Sequence, residues 1–267
     1  MTNPIYPLEP ARLGRYFFGL AVLASGLMQL VNAEFVRLTP PLPAWIPSPS
    51  FWARAIGAVL VALGAAIVLG FMTRPAALIV AALLLLSFLF QRVPELLAQP
   101  MAGTTWTSTC KVLALTGGAV LIAASATSER RPHLGWVVKL LPLAPVLLGV
   151  LLLVCGSQHF MHAAFVDNRM PAGMPLEPRF WTYLTGLVLI AAGICLMIPR
   201  TMRLAAISSG AMILLWIILL HIPRSIETKT AFEVAGIFEA LAISGVAFLV
   251  AAEPVRSRRE SIDTVPA

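Results

Sequence analysis

The chain has 267 residues, 59% hydrophobic and 12% charged, with a formal net charge of +7 and a mean hydropathy of +0.88. Soluble domains carry about 25% charged residues, so this composition excludes a water-soluble globular enzyme, and the same hydrophobicity excludes a disordered chain. The positive balance belongs to a membrane protein with Lys and Arg gathered in short loops, and no nucleic-acid partner is expected.

A helix crosses the hydrocarbon core with about 20 apolar residues, within a range of about 17–25. Uncharged stretches near that length lie at 16–33, 55–73, 75–91, 112–128, 140–166, 180–199 and 204–223, and an eighth, 234–252, contains only Glu239. Pro142 and Pro145 fit a helix start inside the long fifth stretch. All eight are too long for strands and lack strict alternation, which argues against a barrel. The predicted fold is all-α, with eight transmembrane helices. Arg12 and Arg15 ahead of Phe17–Val31, then Val31-Asn32-Ala33, also read as a secretion signal with a cleavage site, a reading that the repeat below disfavours.

Gly19 and Gly26 recur as Gly149 and Gly156 at an offset of 130. Phe51-Trp52, Gly57, Gly64, Arg74 and Pro94 recur as Phe180-Trp181, Gly186, Gly193, Arg203 and Pro223 at an offset of 129. Gly118 matches Gly245 after a small deletion. The chain therefore reads as two four-helix bundle units, 13–128 and 143–252, followed by a flexible cytoplasmic tail, 253–267. An even number of helices per unit makes the repeats parallel. The first stretch is the counterpart of the fifth, so cleavage would amputate a unit. The glycine pairs, seven apart, fall on one helix face and suit close helix contact.

Eleven Lys and Arg fall on the side of the termini and eight on the other, which favours cytoplasmic termini. The opposite connections are longer and proline-rich. Thr39-Pro40-Pro41-Leu42-Pro43 favours a stiff extended path. Trp45, Trp52, Trp106 and Trp181 suit an interfacial aromatic belt. Arg256, Arg258 and Arg259 in the tail suit contact with anionic lipid.

Polar residues gather at the outer helix ends: Gln29, Asn32, Glu34, Arg54, Arg92 and Lys111 in the first unit, His159, His162, His221 and Glu239 in the second. Unpaired polar groups at membrane depth cost several kcal/mol, so such groups face inward and find partners. An outward-opening polar pocket is expected in each unit. His159 and His162, three apart, share a helix face. Together with Glu239 they are the candidates for proton exchange, and His221, Gln29, Asn32, Arg92, Lys111 and Trp106 are the candidates for ligand binding. Neutral imidazoles can ligate a metal or haem iron, but no cysteine joins them and no metal-ligand spacing appears. No metal site is expected; pocket-lining histidines fit better. The three cysteines, Cys110, Cys155 and Cys195, show no C-x-x-C spacing and fit small packing residues. Glu239 calls for a histidine or an arginine such as Arg224 as its partner, and Lys111 is expected to snorkel outward along its own helix.

With these motifs in place, each unit resembles a DoxX-type four-helix membrane domain. The resemblance rests on Gly19-x6-Gly26-x2-Gln29-Leu30, Gly149-x6-Gly156-x2-His159-Phe160, Gly57-x6-Gly64 followed by Thr73-Arg74-Pro75-Ala76-Ala77, and Gly186-x6-Gly193 followed by Arg203-Leu204-Ala205. It continues through Val93-Pro94-Glu95, Trp106, Lys111 and Ala114-Leu115-Thr116-Gly117-Gly118. A tandem departs from the usual single unit, and the second unit lacks the Trp106/Lys111 pair. The resemblance implies a protein of the bacterial inner membrane, linked in some relatives to thiosulfate:quinone oxidoreductase or to oxidative stress. It implies a quinone headgroup site near one membrane face, with a membrane or periplasmic redox partner subunit handling electrons. A non-catalytic scaffold and a small-solute carrier are the alternatives.

Overall fold

The computed structural model describes residues 8–35, 46–125, 139–170 and 174–253. The Thr39–Pro43 segment, Trp45 and the tail arginines Arg256, Arg258 and Arg259 lie outside the described residues. The described residues form helices and no strand. Eight helices are long and apolar enough to cross a membrane, as the stretches predict. We label them α1 (Leu8–Asn32), α2 (Pro49–Leu69), α3 (Thr73–Ala98), α4 (Gly103–Ser125), α5 (Leu143–Met161), α6 (Pro178–Leu196), α7 (Met202–Thr228) and α8 (Ala231–Ala252).

Proline and glycine set the ends. Pro49 and Pro178 open α2 and α6, where a missing N–H costs nothing. Gly70, at φ 75°, closes α2, and Phe71 N–H reaches back to Ala66 C=O at 3.0 Å, a Schellman arrangement. Thr230 caps α8 by accepting Glu233 N–H at 3.3 Å, half of a capping box.

Two prolines also reshape the helices they interrupt. Pro94 has no N–H for the Phe90 carbonyl, and its ring crowds that oxygen. The turn widens to a π-turn over Phe88–Arg92, where Val93 N–H bonds Phe88 C=O. Pro223 does the same to Ile217–His221, with Ile222 N–H on Ile217 C=O. The two π-turns stand 129 residues apart, one in each half.

Glycine decides how the helices meet. A Cβ on Gly26 would lie 2.6 Å from Gly57 O, and one on Gly193 would lie 2.8 Å from Gly149 O. Thus α1 crosses α2, and α5 crosses α6, with backbones in near contact, as the seven-residue glycine spacing predicts.

The fourth helix of each half is central. About two thirds or more of the apolar span is buried in α4 and α8, against under half in the other six. α3 packs on α4 and α7 on α8, but α1 packs on α8 and α5 on α4. Each half therefore lends its last helix to the first helix of the other. α4 and α8 also touch each other side by side and run parallel, in register at an offset of 128: Lys111 meets Glu239, and Gly118 meets Val246. Leu115, Leu121, Ile122, Phe18, Val22 and Val246 fill the surrounding core. Leu187, Leu204, Ile218 and Val59 on the outer helices remain exposed, the pattern of a lipid-facing surface.

Candidate functional site

The polar side chains gather at the end of the bundle opposite the described chain ends. There the start of α4 meets the end of α5. Gln158 on α5 donates its amide to Gly103 C=O at 2.7 Å and accepts the Thr107 hydroxyl at 2.7 Å. These bonds satisfy a side chain that would otherwise be stranded between apolar helices, and they tie the two halves together.

Beside this clasp lies a half-open cleft of about 370 Å³ with mainly apolar walls. Gly103, Thr104 and Thr107 line one side, and Cys155, Gln158, His159 and His162 the other. A short helical turn after α5, Ala163–Asp167, supplies Phe165 and Val166. His159 Nδ1 stands 2.7 Å from Cys155 C=O. A carbonyl only accepts, so Nδ1 carries the proton and Nε2 of the neutral ring keeps its lone pair. The sequence pairs these two histidines on one face, and the structure places both on one cleft.

The turn carrying Phe165 is fastened on both flanks. Asp167 accepts the Thr182 hydroxyl at 2.6 Å and Arg179 Nε at 2.7 Å. These two donors, Thr182 first, hold the Asp167 carboxyl below its ordinary range against a smaller opposing desolvation. Farther on, Arg169 lies 3.7 Å from the buried Glu233 of α8, which also takes Arg224 Nε at 3.1 Å. Stacking of Phe160 on Tyr183, with centroids 5.3 Å apart, closes the α5–α6 side.

Lys111 and Glu239 lie about 12 Å along their helices from the starts of α4 and α8. Lys111 Nζ meets Glu239 Oε2 at 2.8 Å, with side chains 22% and 13% exposed. Both lie within electrostatic reach of Cys155 at the cleft wall. Of the histidine or arginine partners expected for Glu239, Arg224 instead serves Glu233, about 9 Å nearer the helix start. Lys111 does not snorkel, because α8 brings a carboxylate within reach.

The remaining candidates stand apart from the cleft. Gln29 is fully buried and donates to Ala53 C=O at 3.1 Å, joining α1 to α2. Asn32 is exposed at the end of α1. Arg92 ends the first π-turn and pairs with Glu95 at 2.7 Å, and His221 ends the second. Trp106 N–H donates to Pro100 C=O at 2.8 Å, and Trp181 N–H likewise to Pro175 C=O at 2.5 Å. The cleft at this clasp lies between the halves, where α5 packs on α4. Among the described residues no group of three or more His, Cys, Asp or Glu could hold a metal ion.

Sequence reasoning missed Gln158, Thr107, Cys155 and Phe165 as cleft residues. It also missed the buried Glu233, although Thr230-x-x-Glu233 carries the capping-box signature.

Two family models match the chain. Residues 11–92 match DoxX, and residues 148–219 match a Domain of unknown function (DUF8561). The first match runs from α1 to the π-turn of α3, the second from α5 into the π-turn of α7. Neither extends over Lys111 or Glu239. No curated protein and no solved structure matches. Across residues 11–92 this chain is similar to the DoxX family, and its eight long apolar helices are those of a membrane protein.

Proposed function

We propose that this chain is an accessory subunit of a membrane redox complex and holds a quinone-type headgroup in the cleft between α4 and α5. The observation that carries this reading is the cleft itself. Its volume of about 370 Å³ suits a single substituted ring. Its walls are mainly apolar, and His159 offers a fixed acceptor at Nε2 toward a ring hydroxyl. His162 on the same wall is the second proton-exchanging group. Lys111 and Glu239 supply a fixed dipole behind Cys155. Electrons belong to a partner subunit.

In the same reading the two halves descend from one four-helix unit. The π-turns 129 residues apart and the matched glycine crossings support this. The protein sits in a bacterial inner membrane with both termini cytoplasmic, a placement supported by the family resemblance and the Lys/Arg bias.

The test is retention and binding of quinone by purified protein. Extraction reports co-purified quinone, and quenching of tryptophan fluorescence by a short-chain ubiquinone reports affinity. Wild type binds, His159→Ala binds about tenfold or more weakly, and His221→Ala matches wild type. Equal binding by all three, or none by wild type, refutes the reading. A scaffold role is the second reading, favoured by how fully Asp167, Glu233 and Glu239 are paired. Ligand-free protein co-purifying with a defined partner supports it.

A further inference from the structure

The opposite end of the bundle carries a different chemistry. Arg15, about two turns into α1, places its guanidinium against the turn that joins α2 to α3. A Cβ on Gly70 would lie 3.7 Å from Arg15 Nη1. Arg15 Nε is buried and bonds no protein group. The guanidinium lies 5.2 Å over its neighbour Tyr16, and among the described residues it forms no salt bridge. Arg12, one turn nearer the start of α1, is exposed.

The surroundings are apolar and open. Leu69, Phe71 and Met72 flank Gly70 at 78%, 68% and 61% exposure. Such residues on the turn between two membrane-spanning helices suit contact with acyl chains. A guanidinium there, half sunk and unneutralised, costs free energy unless an anion meets it. Arginine presents a fork of donors matched to phosphate oxygens.

We propose that Arg15 binds the phosphate of an anionic phospholipid, with Arg12 alongside and with acyl chains against Leu69, Phe71 and Met72. The lipid phosphate takes the donors that protein leaves unused. The turn between α6 and α7 provides the contrast. At the offset of 130, Pro145 stands where Arg15 would be. There Thr201 closes the turn on itself by donating to Cys195 C=O at 2.8 Å. That turn, with Arg203 beyond it, lacks the sunken guanidinium. This site is remote from the cleft, so its test is independent of the quinone reading.

The test is native mass spectrometry of protein exchanged into mixed micelles of phosphatidylglycerol and phosphatidylcholine. Wild type retains a phosphatidylglycerol in preference to phosphatidylcholine. Arg15→Gln lowers that preference about fivefold, Arg15→Lys lowers it less, and Arg203→Gln leaves it unchanged. The proposal is overturned by a wild type with no preference, by an Arg15→Gln protein that retains the lipid as wild type does, or by an equal loss in Arg203→Gln. Displacement of the lipid by millimolar inorganic phosphate would assign the site to free phosphate and overturn the lipid. Should Arg15→Gln fail to fold, the wild-type preference and the Arg15→Lys protein still decide the matter.

Discussion

Neutralising one member of the Lys111–Glu239 pair is the sharpest perturbation of this bundle. The charges meet at 2.8 Å between the two central helices, with side chains 22% and 13% exposed. At an effective dielectric of about 20, attraction at that distance is about 6 kcal/mol before desolvation is charged against it. Desolvation of both ions cancels much of this, so the net worth of the pair is small compared with the cost of breaking it. Lys111→Met or Glu239→Gln alone breaks the pair and should destabilise by about 3–5 kcal/mol. The double variant Lys111→Met/Glu239→Leu should return to within about 1–2 kcal/mol of wild type, or exceed it. The swap Lys111→Glu/Glu239→Lys should also recover, because the two positions face each other in register on parallel helices. SDS-induced unfolding of purified protein, read as a double-mutant cycle, measures the coupling. Single variants within about 0.5 kcal/mol of wild type, with additive effects, would refute the reasoning.

Three further outcomes follow from the geometry. Gly64→Ala drives a methyl into the α1 backbone at Leu23 and should cost about 1–3 kcal/mol, read as a lower apparent Tm in detergent. Gln158→Leu removes both bonds of the clasp and leaves Gly103 C=O and the Thr107 hydroxyl only their mutual 3.2 Å bond; it should cost about 1 kcal/mol, with faster proteolysis in the short turn that follows α5. Asp167 is held below its ordinary pKa, so its contribution to stability is complete above the ordinary carboxylate range and drains away as pH falls toward the depressed value. Thermal melts against pH should show that loss on the acid side in wild type, and Asp167→Asn should flatten it.

Eight helices were legible because length and hydropathy alone decide a membrane crossing, and none of them depends on a long-range partner. The glycine crossings were legible for a similar reason: spacing of seven places two small residues on one face. Lys111 shows where that logic ends. Its sequence position gives its depth, but the choice between snorkelling and pairing rests on whether α8 lies alongside α4. The offset of 128 hints at equivalence, not adjacency. Gln29 was likewise read as a pocket residue, yet α2 offers it a backbone carbonyl that no side-chain pattern announces. His159 and His162 came together because their proximity is local to one helix. Gln158 escaped notice because its partners sit on another helix, more than fifty residues upstream.

The exchange of last helices between halves has a consequence for synthesis. α1 leaves the ribosome seven spans ahead of α8, yet its glycine seam with α8, at Gly14 and Gly245, is sealed only when α8 arrives. A nascent chain stalled after α7 would hold an unclosed ring, with that groove open to lipid or to quality-control proteases. Arrival of α8 thus doubles as the locking step of assembly.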